Sequence, residues 1–363
     1  MTNRIESVDI LRGLTIVAMI MVNNPGSWSH VYPPLLHAEW HGLTPTDLIF
    51  PFFLFIVGIS ISFAYKNKPK NRSTYQKIII RTLKLIGLGL FLGWFLPYFP
   101  FFKSFETLRF PGVLQRIGVV FLISAVLFLN FKWKSLLFIA ITILISYWLF
   151  IGFVPLPNGS LPTFDRAPNN WANYLDLKIL GNHMWKTDYD PEGILSTLPA
   201  IATCISGILI GKILSMTNKR KVSLLLITGL SLLLLGYVWA VWFPLNKAIW
   251  SSSFVLVSSG WGTVILAGVY YLTDMKSMKF GTIFKYAGMN AITIFFLSGF
   301  IAKIFYLTKI GENSNVHSWL YNSIFTFSFL DEKLSSLLYA LVTISFYLLL
   351  GYILYKKKIV IKV

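Results

Sequence analysis

Apolar runs of about twenty residues recur along this chain of 363 residues and constrain its fold more than any other feature. A helix of ~20 residues, rising ~1.5 Å per residue, crosses the ~30 Å hydrocarbon layer of a bilayer and satisfies its own backbone hydrogen bonds there. The runs predict an all-α, polytopic membrane protein of one domain, residues 1–363, with about ten transmembrane helices. The predicted ranges are 8–25, 45–65, 78–98, 111–130, 135–154, 193–215, 222–243, 251–272, 283–307 and 335–355.

Basic residues fall mainly in alternate loops between these runs, and this asymmetry predicts the orientation. Lys and Arg number 32 against 14 Asp and Glu, an excess that in a soluble chain would suggest nucleic-acid binding. Here most of them lie in short loops on one side, as the positive-inside rule requires of cytoplasmic loops. We therefore expect cytoplasmic termini, a surrounding of membrane lipid and no nucleic-acid partner. The outer face then receives the loop around His37 and a long loop at about 155–192.

The single cysteine, Cys204, lies within an apolar run, which excludes an internal disulfide and a cysteine-based metal site. We expect it to pack in the core. Asp9 and Arg12 interrupt the first apolar run, and no small-residue cleavage site follows it. The first helix is therefore predicted to be retained rather than removed as a signal peptide.

A polar segment directly before the second apolar run holds the strongest candidates for chemistry. His37 can accept a proton from a nucleophile or carry an acyl group near neutral pH, with an inert loop histidine as the alternative. His41, four residues on, would share a helical face with it and offers a weak metal pair. The run from Thr44 to Asp47 predicts a capping box that starts the second helix, and Asp47 can also contact His37.

Other polar residues stand at helix ends or inside apolar runs. Arg116 lies inside the fourth run, where an arginine costs roughly 2.5–3.5 kcal/mol on insertion scales, so it should bind an anion or form an internal ion pair. Arg12 has Asp9 three residues away as a helical partner. The remaining candidates are helix caps or site residues: Asn23, Asp190, Glu192, Asn246, Lys247 and Asn290.

Seven segments together resemble the heparan-alpha-glucosaminide N-acetyltransferase family of transmembrane acyltransferases. They are SVDILRG from Ser7, VNNPG from Val22, HAEWHGLTPTDLIFPFF from His37, VLQRIG from Val113, DPEGILSTLPAIA from Asp190, NKAIWSSSFV from Asn246 and GMNAI from Gly288. They recur across nearly the whole chain, and the histidine, DPEG and NK segments make the resemblance specific. We expect this protein to lack the large lumenal extension of the eukaryotic members. A bacterial-type member in the cytoplasmic (inner) membrane is therefore expected, and heparan itself need not be its substrate.

The resemblance implies that acetyl-CoA is bound from the cytoplasm and that its acetyl group passes to a glucosamine amine on the outer, periplasmic face. The family's catalytic histidine falls on His37 and its asparagine on Asn23. We expect His37 to act as a base or as a transiently acetylated nucleophile, with no metal. The further expected roles are substrate binding by Asp190, Glu192, Asn246, Lys247 and Asn290, CoA-phosphate binding by Arg116 and Arg12, and support by Asp47 and Gln115.

Two alternatives remain open from the sequence. An O-acetyltransferase acting on envelope polysaccharide would need the same donor, and a sugar transporter or permease would line a path with the same intramembrane polar residues. For Arg116, support of the site around His37 is the alternative to binding CoA phosphates. A homodimer is implied only by resemblance, and the sequence does not identify the acceptor glycan.

Overall fold

The computed structural model describes residues 5–217, 220–279, 281–312 and 314–361. Helices make up almost all of its regular structure, in agreement with the all-α prediction. They are α1 (Glu6–Asn23), α2 (Ile49–Ala64), α3 (Arg72–Trp94), α4 (Val113–Asn130), α5 (Trp133–Phe153), α6 (Trp171–Leu180), α7 (Thr197–Leu214), α8 (Lys221–Trp239), α9 (Ser252–Tyr270), α10 (Thr282–Met289), α11 (Ala291–Leu307), α12 (Val316–Ile324) and α13 (Glu332–Lys356). Strands β1 (Lys309–Ile310) and β2 (Ser314–Asn315) pair antiparallel.

Seven helical segments of the described chain are long and apolar enough to cross a membrane, or eight if the pair α10 and α11 counts as one span. They are Pro45–Ala64, α4, α5, α7, α8, Ser252–Met275 and α13. Helices α1 and α3 lie in the two remaining predicted ranges with 18 and 23 residues, but they carry more charged side chains. The structure therefore supports a multi-pass helical membrane protein. The total of ten spans and the cytoplasmic termini stay predictions.

The structure corrects the sequence prediction at one helix and in two loops. The predicted helix 283–307 is broken at Asn290 into α10 and α11, which are bent by 80°. No proline marks the break, so the apolar pattern continues through it. The loop at about 155–192 contains α6, because the Asn170 side chain accepts the backbone N–H groups of Ala172 and Asn173 and starts a helix there. The loop after α11 likewise contains α12.

Close backbone contacts between α2 and α7 form the centre of the bundle. A Cβ on Gly58 would lie 1.9 Å from the carbonyl oxygen of Cys204, and a Cβ on Gly207 would lie 1.9 Å from that of Phe55. Glycine is therefore required at both positions, as is usual where helices pack tightly in lipid. Cys204 is fully buried at this contact, which confirms its predicted place in the core.

The direction of the helices sorts the loops to two ends of the bundle. One end, called the His37 end below, gathers loops 24–48, 95–112, 154–196 and 240–251. These loops contact one another: the Gly42 N–H donates to the Leu245 carbonyl over 2.8 Å, and the Trp40 indole donates to the Phe164 carbonyl over 2.9 Å. The opposite end, called the cavity end, holds the first turns of α1 and α3 and the last turns of α2 and α13.

Candidate active site

His37 and Asp47 form a hydrogen-bonded pair at the His37 end. Thr44 caps a short 3₁₀ helix, Pro45–Leu48, and its side chain and that of Asp47 exchange hydrogen bonds with each other's backbone, which confirms the predicted capping box. Asp47 Oδ1 lies 2.7 Å from His37 Nδ1. The aspartate side chain is 1% exposed, whereas that of His37 is 49% exposed. The cap that starts the helix therefore also anchors the histidine.

The hydrogen bonds of Asp47 assign the histidine tautomer. The second carboxylate oxygen accepts the Ala38 N–H at 3.1 Å, the Thr44 N–H at 3.0 Å and the Thr44 hydroxyl at 3.0 Å. Because an ionised carboxylate only accepts, the short contact to His37 requires a proton on Nδ1. Nε2 of His37 is then unprotonated in the neutral ring and can accept a hydrogen bond or a proton.

Lys247 lies directly against the His37 ring. Its Nζ is 3.2 Å from both Nδ1 and Nε2. Burial lowers the pKa of the Lys247 ammonium, and the charges of Glu192 and Asp47 oppose that shift. The loop that carries Lys247 is fixed by the buried side chain of Asn246, which accepts the Ile249 N–H at 3.0 Å. Of the two predicted substrate-binding residues in this loop, Lys247 therefore contacts His37, whereas Asn246 stabilises the loop backbone.

His41 connects three loops at this end. Its Nε2 lies 2.9 Å from Asp165 Oδ1 in the loop before α6, and its Nδ1 lies 3.3 Å from the Asn246 amide nitrogen. Both ring nitrogens therefore face polar side chains from other loops. His41 fits a positioning role for the His37 loop better than a direct role in chemistry.

Arg109 is one of the residues at this end that the sequence did not single out. It donates to Asp190 over 2.7 and 2.5 Å and to Glu192 over 2.5 Å. The Asp190 side chain is 0% exposed and that of Glu192 is 8% exposed. Burial opposes the charge on Arg109, but hydrogen bonds and charges from the two carboxylates outweigh it and raise the pKa of the guanidinium. Both predicted sugar-orienting carboxylates are therefore engaged within the protein.

A second buried carboxylate, Asp176 on α6, shapes the same segment. It accepts the N–H groups of Asp190 at 3.2 Å and Ile194 at 3.0 Å, and burial raises its pKa to about 6. A Cβ on Gly193 would lie 2.0 Å from Asp176 Oδ2, so only glycine fits between them. The DPEG segment thus wraps around a carboxylate located 17 residues before its glycine in the sequence.

Arg116 also lies at the His37 end, in the first turn of α4. Its Nη2 donates to the Gly193 carbonyl over 2.9 Å and to the Ser196 hydroxyl over 2.5 Å. The guanidinium lies 5.2 Å from the centre of the Trp250 ring, and its Nε and Nη1 have no partner among the described residues. The neighbouring Gln115 packs against the backbone of Gly89 on α3. Arg116 thus joins α4 to the DPEG segment.

Asn23 is exposed at the last residue of α1, at the same end as His37. Its neighbour Asn24 is buried and donates to the Ile20 carbonyl over 2.8 Å. Of this asparagine pair, Asn24 therefore ends the helix and Asn23 presents its amide to the outside.

The cavity end contains a cavity of about 520 Å³. Four cationic side chains line it, and in the part of the chain that the structure describes no carboxylate does: Arg12, Lys77, Arg81 and Lys84. Arg12 forms the predicted ion pair with Asp9 at 3.0 Å and donates to Ser60 over 2.8 Å. The buried Nε of Arg81 has no hydrogen-bond partner among the described residues. The charge and the unmet donor suit an anionic ligand.

The cavity extends far into the bundle along α2. Its lining residues on this helix run from Tyr65 to Phe53, a distance of ~18 Å at ~1.5 Å per residue. Phe53 lies only six residues after Asp47, or ~9 Å of helix. The inner limit of the cavity therefore approaches the base of the His37 site from the opposite end of the bundle.

Asn290 lies in the wall of this cavity, at the break between α10 and α11. Its amide contacts the backbone of the segment that follows α13. The structure therefore separates Asn290 from the other predicted substrate-binding residues, all of which lie at the His37 end.

Comparison with known proteins agrees with the resemblance noted from the motifs. A sequence model described as "Heparan-alpha-glucosaminide N-acetyltransferase, catalytic" matches residues 4–236, a range that includes His37, Arg116 and the DPEG segment. Two relatives named heparan-alpha-glucosaminide N-acetyltransferase, from Mus musculus and Homo sapiens, are 30% and 29% identical over 99% of this chain. The chain spans 61% and 60% of their respective lengths. It belongs to the heparan-alpha-glucosaminide N-acetyltransferase family.

Proposed function

We propose that this protein transfers the acetyl group of acetyl-CoA, bound in the cavity, to the amino group of a glucosamine-containing sugar at His37. One observation carries the proposal. A cationic cavity runs ~18 Å along α2 from one end of the bundle, and the His37–Asp47 pair lies ~9 Å of helix beyond its inner limit. A donor with an anionic head and a long arm fits such a channel, and both named relatives are N-acetyltransferases.

The donor would bind with its phosphates among the cavity cations and its thioester toward the His37 end. Lys77, Arg81 and Lys84 project from one helix, α3, and Arg12 faces them from α1. Phosphates favour such charge-assisted hydrogen bonds, and a guanidinium offers them in a fixed geometry. Arg116 was a second candidate for this contact. Its burial at the His37 end favours the alternative role of supporting the site.

His37 would act as the general base. Nε2 accepts a proton from the sugar ammonium, and the freed amine attacks the thioester carbonyl to give a tetrahedral intermediate. Asp47 accepts the Nδ1–H and stabilises the imidazolium that results. The nitrogen of the intermediate releases its remaining excess proton to water. The intermediate then expels the CoA thiolate, which takes up the proton carried by His37, so the amide is left on the sugar.

Lys247 is the group best placed to stabilise the oxyanion. Its Nζ lies 3.2 Å from His37 Nε2, so a substrate beside that nitrogen also lies beside the ammonium. A cation at the position where negative charge develops lowers the barrier. Asn23 would provide a second donor from the exposed end of α1. Asp190 and Glu192 would act on the sugar only through Arg109 and the loop that they hold.

The charge pattern supports an orientation with the cavity toward the cytoplasm. The connection from α2 to α3 and the first turns of α3 carry six Lys and Arg within 66–81: Lys66, Lys68, Lys70, Arg72, Lys77 and Arg81. This is the cavity end, and loops rich in Lys and Arg stay cytoplasmic. The donor would then enter from the compartment where acetyl-CoA is made, and the acceptor would be acetylated outside it.

Acceptor-dependent release of CoA by the purified protein tests the proposal. With acetyl-CoA and glucosamine we expect turnover by the wild type and a loss of about 10²–10⁴-fold in His37→Ala, the usual range for a general base. His30→Ala is the matched control, because His30 lies in the same loop but pairs with Glu332 and not with Asp47, and it should retain activity. No acceptor-dependent release by the wild type would contradict the proposal and favour transport. N-acetylated rather than O-acetylated product separates the two acetyltransferase classes.

The same assay separates the two routes through His37. Incubation with radioactive acetyl-CoA before the acceptor is added should leave the protein unlabelled if the sugar attacks the thioester directly. Label that is retained on His37 and chased onto glucosamine would instead establish an acetyl-histidine intermediate.

A further inference from the structure

The segment after α13 folds back into the wall of the cavity. We call residues 358–361 the strap. Val360 and Ile361 line the cavity together with the 288–292 turn between α10 and α11. Helix α13 itself contributes no lining residue in the described part of the chain, so the strap closes a gap that the helices leave open.

The end of α13 sets the direction of the strap. The Lys358 N–H donates to the Tyr355 carbonyl over 3.0 Å, and the Ile359 N–H donates to the Leu354 carbonyl over 2.9 Å. Lys358 has a positive φ of 55°, which residues other than glycine rarely adopt. These features form a Schellman-type helix end, which reverses the chain and directs it away from the helix axis.

Asn290 then fixes the strap by both halves of its amide. Its Nδ2 donates to the Ile359 carbonyl over 3.0 Å, and its Oδ1 accepts the Ile361 N–H over 2.9 Å. The residue is 2% exposed and lies at the 80° bend between α10 and α11. A single buried side chain thus holds the strap against the bend that shapes the cavity.

We propose that the strap is a movable wall of the donor site and that Asn290 is the positioning residue that holds it closed over bound acetyl-CoA. The proposal rests on the proposed function, because it concerns the same cavity. Two hydrogen bonds to one side chain are few enough to open, and the strap has no other described polar contact beyond the helix end. Closing the strap retains the donor, and opening it admits acetyl-CoA and releases CoA.

Substitution of Asn290 tests the retention. Asn290→Ala should weaken acetyl-CoA binding about tenfold, measured as Kd by titration calorimetry, because the strap is released. At saturating donor, kcat and the KM for glucosamine should stay within about twofold. Asn290→Asp keeps an oxygen for the Ile361 N–H but loses the donor to Ile359 and adds a carboxylate to the wall of the cationic cavity, so we expect a Kd at least as weak as that of Asn290→Ala. The matched control is Asn130→Ala, an exposed asparagine that pairs with Tyr75.

Thiol labelling tests the position of the strap directly, because the only native cysteine, Cys204, is fully buried. Val360→Cys should react with a hydrophilic maleimide about tenfold more slowly when acetyl-CoA is bound, and addition of Asn290→Ala should remove most of that protection. Lys357→Cys, exposed and outside the cavity lining, should react at the same rate with and without donor.

The outcomes distinguish the two proposals. Normal turnover by the wild type combined with an unchanged Kd in Asn290→Ala, or with no protection of Val360→Cys, would overturn the strap alone. A fall in kcat with no change in Kd would show a folding role for Asn290 and would also overturn it. Absence of acetyl-CoA binding to the wild type would overturn the proposed function and the strap together.

Discussion

At the His37 end the buried carboxylates are paired with donors from the protein, whereas at the cavity end four cations, of which Arg12 pairs with Asp9, line an open volume. Asp47, Asp176 and Asp190 are each at most 1% exposed, and each accepts hydrogen bonds from described groups. Buried donors without a described partner occur at both ends, on Arg81 in the cavity and on Arg116 at the His37 end, but of these two residues only Arg81 lines the open volume.

The difference separates two uses of charge inside a membrane protein. Ions that are taken out of water and paired hold a structure together, and removing one partner leaves the other uncompensated. Arg81 faces the cavity and keeps a buried donor that a ligand could engage. Substitutions at the His37 end should therefore lower stability or orient the base poorly, and those at the cavity end should lower affinity and leave the fold intact.

The largest effect is expected from loss of Arg109, the half-buried arginine that pairs with two buried carboxylates. Arg109→Ala leaves Asp190 and Glu192 without their shared cation and should destabilise the protein by about 3–5 kcal/mol, seen as a lower thermal unfolding midpoint in detergent. Arg166→Ala is the matched control. It removes the same two-pronged contact to Asp188, at 2.6 and 2.8 Å, from an exposed position, where the expected cost is about 0–1 kcal/mol. Equal costs would remove the distinction between the two ends.

The next effect concerns orientation of the base. Asp47→Asn cannot both accept the His37 Nδ1–H and satisfy the three donors at its other oxygen, so kcat should fall about 100-fold, or about 2.7 kcal/mol. Thr44→Ala removes the cap hydroxyl from the same carboxylate and should cost about 1 kcal/mol of stability, with kcat reduced far less. Similar kcat values in the two variants would mean that Asp47 serves only as a cap.

A smaller effect is expected at the cavity end. Arg81→Ala should weaken acetyl-CoA binding about tenfold, or about 1.4 kcal/mol, without lowering the unfolding midpoint. Arg72→Ala removes a cation from the exposed start of the same helix, outside the cavity lining, and should leave Kd nearly unchanged. A lower unfolding midpoint in Arg81→Ala with an unchanged Kd would show that Arg81 contributes to stability and not to donor binding, as the charged residues of the His37 end do.

The smallest effect is a pH dependence at the His37 end. Asp176 has its pKa raised from 3.8 to about 6 by burial, so between these values the folded protein holds a proton that the unfolded chain has lost. This contribution to stability is complete below about pH 4 and is lost as pH rises through about 6. Asp176→Asn should remove it. The variant's free energy of unfolding should therefore gain on that of the wild type from pH 4.5 to pH 7, by on the order of 1 kcal/mol, seen as a smaller gap between the two unfolding midpoints or a reversal of their order.

The sequence predicted those features of the site that depend on near neighbours. The capping box of Thr44 and Asp47 and the Arg12–Asp9 pair each lie within one helical turn, where spacing alone determines contact. Arg109 was missed because its partner Asp190 lies 81 residues away, and no local pattern around TLRFPG marks it. The break at Asn290 was missed because the apolar residues continue on both sides of it.

The same limit applies to the cavity. From the sequence, the cations of α3 were assigned to a cytoplasmic loop and its flanks. That assignment predicts their side of the membrane, but it does not predict that they line one cavity. Only the packing of α1, α3 and the α10–α11 bend around α2 turns these residues into one lining. Contacts between helices that are distant in the chain cannot be predicted from the local patterns of a single sequence.

Asp176 and Gly193 carry a consequence for comparing related chains. The carboxylate occupies the space that a side chain at the glycine would need, so the two positions are free to change only together. In relatives that keep an aspartate at the first position, the second should remain glycine. Relatives with a smaller residue at the first should tolerate alanine or serine at the second. Covariation of these two positions would therefore reflect the packing of a loop, and it should not be taken as evidence that either residue is catalytic.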